Sequence, residues 1–429
     1  MRTNFFALII AFILFSCNNK NETIVDVVFT DSLIKSYSIS PLYKATEGNY
    51  EFWKNRMDSL PDNYVNGPKY AGALSALFQS TGNIEYLVKA DSLIHQSILA
   101  YKDREPGLNN TLAYLSIQQH KFNRADSLLK VAVLAEGQTK ANAFLDFDIS
   151  FEKGDYRRSK NLLATLKDDN SYNYLFRKAK FEHYDGSLDS AIACMLKAAE
   201  LAGDNKYLKQ AALSNAADLC LHKGDLKKAF SLYKSSINID AADMHSISGI
   251  GWLALVHDKK NTLADKIFRF VLKNTQSPDV LLKLMQVAEF RGDSITQRQY
   301  AEEFISIATK QHYGNMYNKY LIDLYTGIIN EPAKAVALAE KELIDRANPQ
   351  TYAWYVWSLY SNNEKEKAYT YFKSYVSAQP LEGLELYYMG RMMECLDKKY
   401  NATEFYKVAM KNKYDLSPSK QKYLEEILE

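Results

Sequence analysis

The chain has 429 residues, 24% of them charged and 47% apolar, enough for two or three average domains or one long repeat array. Its 53 basic residues against 51 acidic ones leave a formal charge of +2, so the summed field that would gather nucleic acid is missing. Seventeen glycines and nine prolines are too few turn formers for a sandwich, a barrel or a disordered linker of this length, which leaves a mostly helical chain.

Arg2 gives a short positive start, and Phe5 to Phe15 is an unbroken apolar run of eleven residues. That is too short to cross a hydrocarbon core as a helix and reads as a secretory signal. The run ends in Leu14-Phe15-Ser16-Cys17, which resembles the lipobox of bacterial lipoproteins. The resemblance implies that residues 1–16 are removed and that Cys17 is acylated, palmitate being such a chain, and becomes the new N-terminus. The polar Asn18-Asn19-Lys20-Asn21-Glu22 that follows is expected to open a tether over residues 17–40. In some bacteria an Asp directly after the Cys resembles an inner-membrane retention signal; Asn18 stands there instead, so an outer-membrane location, facing the periplasm or the surface, is expected. No second apolar stretch approaches the roughly 20 residues of a spanning helix. Membrane attachment then rests on the lipid.

Residues 41–67 place Tyr50, Trp53 and Met57 at helical spacing and are expected to form an N-terminal helical cap. Beyond them a repeat is written along the chain. Ala90-Asp91-Ser92-Leu93-Ile94 returns as Ala125-Asp126-Ser127-Leu128-Leu129, thirty-five positions later. A small residue followed four later by a large one recurs as Ala125/Leu129, Ala191/Met195, Ala229/Tyr233, Ala264/Phe268, Ala368/Phe372 and Ala402/Tyr406. Gly154-Asp155, Gly186-Ser187, Gly224-Asp225 and Gly292-Asp293 supply turns upstream of such pairs. A small residue lets two helices cross closely, the four-residue spacing keeps the next large side chain on the same face, and Gly closes the first helix.

These features resemble the tetratricopeptide (TPR) family, whose unit is two antiparallel helices with a small residue at their crossing. Markers at Ala90, Ala125, Ser159, Ala191, Ala229, Ala264, Gln297, Ala335, Ala368 and Ala402 advance by about 35 residues. Pro380 falls where the family's helix-ending proline does. The expected fold is therefore all-α: an α-solenoid of about ten TPR-like hairpins over residues 68–415. A capping helix over residues 416–429, with Tyr423, Leu424, Ile427 and Leu428, is expected to cover the last unit.

The polar residues carry little sign of chemistry. His120, His183, His222 and His257 each fall near the end of a predicted first helix, where they are expected to meet unpaired carbonyls and the helix dipole. No His-Glu-x-x-His spacing, nucleophile elbow, phosphate loop or dinucleotide turn occurs, so no reaction, metal or cofactor is assigned. Gly249 and Gly251 fit close packing inside a helix. Cys194 and Cys220 lie on helices that the arrangement brings together, which leaves a disulfide open; buried core positions are the expected use.

The aromatic content is high, with 31 Tyr, 20 Phe and 4 Trp. Most must fill the core, but in TPR proteins the first helix of each unit lines the concave groove. Projected here, that resemblance puts Tyr114, Phe144, Phe176, Tyr184, Trp357, Tyr360, Tyr387 and Arg391 on or beside it. Tyr, Trp and Arg carry binding energy when a partner desolvates them. The expectation is a membrane-anchored scaffold holding a protein or peptide partner, with no nucleic acid. The basic-and-Asn carboxylate clamp of chaperone-binding TPR proteins is not reproduced. An alternative is a surface glycan-binding lipoprotein, similar to those of the starch-utilisation type, using exposed aromatic rings.

Overall fold

The computed structural model describes residues 22–60, 65–102, 104–310, 312–396 and 400–429. Cys17 and the expected signal peptide lie outside them. All described regular structure is helical. Two helices come first, α1 (Val27–Ser36) and α2 (Pro41–Ser59). The hairpins of units one to five are α3 (Asn66–Thr81) with α4 (Ile84–Tyr101), α5 (Gly107–Gln118) with α6 (Phe122–Glu136), α7 (Lys140–Glu152) with α8 (Tyr156–Thr165), α9 (Tyr172–Tyr184) with α10 (Leu188–Leu201), and α11 (Lys206–Lys223) with α12 (Leu226–Ile239). Units six to ten are α13 (Met244–Val256) with α14 (Asn261–Asn274), α15 (Asp279–Phe290) with α16 (Ser294–Lys310), α17 (Asn318–Thr326) with α18 (Pro332–Asp345), α19 (Pro349–Ser361) with α20 (Lys365–Tyr371), and α21 (Gly383–Cys395) with α22 (Ala402–Lys411). Helix α20 runs on into a π-helical turn, Phe372–Val376, and α23 (Pro418–Leu428) ends the chain.

The repeat pattern works as crossing points. Ala90, Ala125, Ser159, Ala191, Ala229, Ala264, Ala335 and Ala368 are all 0% exposed, so at each of them two helices approach with nothing larger than a methyl or hydroxymethyl group between. Gln297 does not mark the crossing of α16. Ala301, one turn on, takes that place at 0% exposure, while Gln297 is only half-buried. Large side chains fill the spaces between crossings; Tyr233, Phe268, Phe304 and Phe372 are almost wholly buried, each contributing roughly 1.5–3 kcal/mol. Gly249 is required by this packing, since a Cβ there would stand 2.4 Å from the Tyr233 ring.

First helices of successive units pack on each other, as α5 on α7, α17 on α19 and α19 on α21, while successive second helices do so much less. The array therefore curves with its first helices inside. The curvature is tight enough to bring the coil back onto itself. The turn of unit one meets the loop after unit six through Thr275 Oγ1 donating to Thr81 O. Asn315 donates to His120 O, Asn348 to Glu152 O, and Asp415 pairs with His222. These partners are 193–196 residues apart, so one superhelical turn takes between five and six hairpins. Units one to five form one layer and the later units a second, joined edge to edge along a seam.

The termini reinforce the seam. The expected tether over residues 17–40 needs correcting: its described part is docked. Val25 is 1% exposed, Asp26 caps α1 by accepting from the amides of Val28 and Phe29, and the Phe29 ring meets Phe230 edge-on at 6.1 Å. Phe29, Leu33 and Ile34 form an apolar stripe on α1 that the units with α12 and α14 bury. Helix α2 packs on α3, and α23 covers α22 while also reaching α15 in the middle of the array. Among the described residues no helix is long and apolar enough to cross a membrane.

Candidate functional site

The inner wall of units two to four is built from α5, α7 and α9. Arg177 on α9 bonds to Asp148 on α7 and its guanidinium lies 4.6 Å from the centre of the Phe144 ring. Lys180 and Glu152 form the next rung. Tyr114 stands beside this ladder, 43% exposed, its hydroxyl accepting a 3.4 Å hydrogen bond from Gln79. Burial raises the Tyr114 phenol above its ordinary pKa even though solvent reaches the ring, as expected on a concave surface.

In the second layer the inner wall is different. Trp357 stacks on Tyr388 at 4.7 Å and 6°, and its indole N–H donates to Thr326 Oγ1 at 3.1 Å. Tyr360 stacks on Trp357 at 5.6 Å. Tyr388 donates to Asp323, whose carboxylate also faces Lys420 of α23 at 3.8 Å. Arg391 donates to Tyr387 Oη at 3.1 Å and lies over the Tyr423 ring at 4.5 Å. The C-terminal helix thus occupies the place where the sequence pointed to a partner.

The eight expected groove residues separate accordingly. Tyr114 is exposed; Phe176 and Tyr184 are half-buried, stacked on Tyr172 at 5.8 Å and on Tyr156 at 3.8 Å. Two assignments are corrected by burial: Phe144 is 9% and Tyr387 8% exposed, the first beneath Arg177 and the second beneath Tyr423. Trp357, Tyr360 and Arg391 are held by neighbours in their own layer and by α23. Trp252 and Trp354 are each 5% exposed, so these two rings serve packing.

Where the layers meet, a cavity of about 740 Å³ opens between the turns of units two to five and the loops of the second layer. Glu152 and Arg346 face each other across the seam at 3.3 Å. Burial pushes the Glu152 carboxyl up, but Lys180 and Arg346 outweigh it and hold the pKa down to about 2. Behind the wall Glu385, 0% exposed, accepts from Trp354 Nε1 at 2.7 Å and from Lys319 at 3.0 Å. Tyr320 projects into the cavity, 43% exposed. The cations lining it are mostly matched by carboxylates within the chain. The arrangement suits holding a polar, ring-bearing surface; nothing in it pairs a nucleophile with a base.

The histidines also need correcting. His222 pairs with Asp415, His257 faces the Glu22 carbonyl and the Tyr414 hydroxyl, and His183 packs edge-on against His222 at 4.7 Å. Asp415 and Tyr414 come from the far end of the chain, Glu22 from its N-terminal segment, and the neighbour of His183 from the next unit in the same layer, rather than from the histidines' own helix ends. His120 takes a left-handed backbone, φ 54°, and its buried Nδ1 has no partner among the described residues. Burial lowers His120 to about 4, with Arg346 adding to it, and lowers His183 to about 4, with His222 adding to it. Asp415 overcomes burial at His222 and raises it. Cys194, Cys220 and Cys395 carry no disulfide. Arg346, Lys319 and Glu385 were not singled out by sequence, because their partners depend on superhelical pitch and on contacts between units.

No family model matches the sequence, and no curated protein does. The solved structure titled "Functional Characterization of Pseudomonas Aeruginosa pilF" is 13% identical with a TM-score of 0.37, over 51% of this chain and 98% of that one. A tetratricopeptide repeat protein from Parabacteroides merdae is 18% identical with a TM-score of 0.33, over 72% of this chain and 99% of that one. At these values neither bears on a role. By its own geometry, the chain is an all-α solenoid, with ten TPR-like hairpins among the described residues.

Proposed function

We propose that the chain is a lipid-anchored scaffold that holds a protein segment against the inner wall of its first layer. The observation that carries this reading is Tyr114: an exposed ring on a concave, charged wall, left uncovered while the matching aromatic wall of the second layer is filled by α23. A tyrosine so placed offers large contact area at little entropic cost, and the Arg177–Asp148 and Lys180–Glu152 rungs supply polar groups to orient a backbone. Acylation at Cys17, read from Leu14-Phe15-Ser16-Cys17, would confine the scaffold to a membrane, with the outer membrane the expected one. Confinement raises the effective concentration of any partner held at the same membrane.

The test is crosslinking and co-purification of the full chain from detergent extract, comparing wild type with Tyr114→Ala. Loss of one co-purifying protein at unchanged melting temperature supports the reading. An identical set of partners overturns the groove assignment. Cys17→Ser tests the anchor separately: the variant should leave the membrane fraction and lose fatty-acid labelling.

A further inference from the structure

The segment that separates the expected anchor from the solenoid is docked over most of its length. Lys227 pairs with the Glu22 carboxylate at 2.6 Å, and the His257 ring approaches the Glu22 carbonyl at 3.2 Å. The Ile24 and Val25 amides donate to the two oxygens of Asp258, each at 2.9 Å. Further on, Asp31 pairs with Lys266 at 2.7 Å, and the Tyr37 ring meets Phe270 edge-on at 5.0 Å. These are contacts to the turns of units five and six and to the outer side of α14. They tie a strap running from Glu22 to Tyr37 onto the array.

Chain length turns the strap into an orientation. Only residues 18–21 lie between Cys17 and Glu22, so Cys17 is at most about 18 Å from the docked chain. Were residues 17–40 a free tether, the array could stand up to about 80 Å from its anchor. The edge near Glu22 also has the composition of a headgroup contact. Val27 and Val28 are 41% and 79% exposed beside it. Lys228 lies in the first turn of α12 next to Lys227, which Glu22 already pairs, and Lys260 lies at the turn into α14 next to Lys259, which donates to Gln421 at 3.0 Å. Glu22 and Asp258 are bound by groups of the chain itself, so the surface combines exposed apolar side chains with the exposed Lys228 and the neighbouring Lys260, cations that favour anionic lipid.

We propose that the strap holds the turns of units five and six at the lipid headgroups, so that the solenoid lies against the bilayer in one fixed orientation instead of swinging on a tether. The partner of this edge is a bilayer surface with anionic headgroups. The proposal rests on acylation of Cys17. The opposite edge of the first layer, where Lys167 lies in the loop between α8 and α9, is then turned away from the lipid.

The experiment uses the full acylated chain, with Cys395→Ser to remove the exposed thiol, in phosphatidylcholine–phosphatidylglycerol vesicles. A fluorophore is placed at Lys228→Cys, Lys260→Cys or Lys167→Cys, and quenching by nitroxide-headgroup lipid is measured after flotation. The first two labels should be quenched several-fold more than the third. Adding Phe29→Ala with Asp258→Ala should erase that difference while flotation and the circular dichroism melt persist. Equal quenching at the three positions in floated protein would overturn the orientation and leave the anchor standing. Failure of the unlabelled chain to float would overturn both.

Discussion

Units two to four and units eight to ten present the same helices to the inside of the coil, and the chain treats the two walls in opposite ways. The first is a ladder of ion pairs, Arg177–Asp148 and Lys180–Glu152, with Tyr114 uncovered. The second is a stack of rings, Tyr360 on Trp357 on Tyr388, with Tyr387 and Arg391 beneath the Tyr423 of α23. Position in a repeat thus decides which way a side chain points, while the rest of the chain decides whether it meets solvent. The projected groove put Trp357, Tyr360, Tyr387 and Arg391 of the second wall on a binding surface; they instead meet one another and an occupant already present in the same chain.

The largest break in this comparison is expected at Glu385. Glu385→Ala removes the buried partner of Lys319 and Trp354 and should cost about 3–5 kcal/mol, read as a lower urea midpoint. In the first layer, on the second helix α8, Arg158→Ala, whose side chain is 58% exposed in its pair with Asp146, should cost under about 1 kcal/mol.

The pH dependence should separate the seam from both walls. His120 and His183 bind a proton in the unfolded chain near the ordinary histidine value of 6.5 but in the folded chain only at about 4. Protonation therefore favours unfolding, and stability present above 6.5 is lost as pH falls toward 4, by up to about 3 kcal/mol for each. Glu152, held at about 2, loses its contribution only further down, as pH falls below 4.5 toward that value. Melting temperature against pH should be flatter between 6.5 and 4 in His120→Gln than in wild type.

Glycine substitutions sharpen the contrast at smaller magnitude. A Cβ at Gly390 in α21 would stand 2.3 Å from the Tyr406 ring, so Gly390→Ala should cost about 1–3 kcal/mol. Gly72 in α3 has nothing within 4 Å, so Gly72→Ala should stabilise by about 0.5–1 kcal/mol through helix propensity. Thermal melts of the two variants should move in opposite directions. Least of all, Tyr114→Ala should change stability by no more than about 0.5 kcal/mol, leaving its effect on partner capture as the readout.

Much of the fold was legible because each unit writes its own crossing point. Ala125, Ala229 and Ala264 announce it by spacing, and Gly154, Gly186, Gly224 and Gly292 mark turns by their left-handed backbone. Where the pattern failed, the failure was local: in α16 the small residue at the crossing is Ala301, one turn after Gln297. The candidate site was less legible. Arg346 meets Glu152 at a separation of 194 residues, set by curvature summed over several units. No single stretch of sequence states that sum. The strap was missed for a related reason, since Val25, Phe29, Leu33 and Ile34 form a short stripe whose burial depends on a distant unit.

The seam has a consequence for how this molecule comes apart and how it changes over generations. Open solenoids are nearly one-dimensional: they can fray from an end, and lineages can add or drop a unit with local damage. Here the turns of early units are keyed to loops 193–196 residues onward. Loss of one hairpin from the middle would slide one storey past the other and mismatch every bolt between them at once. Such an array should melt as a block, and its count of hairpins should be locked against drift.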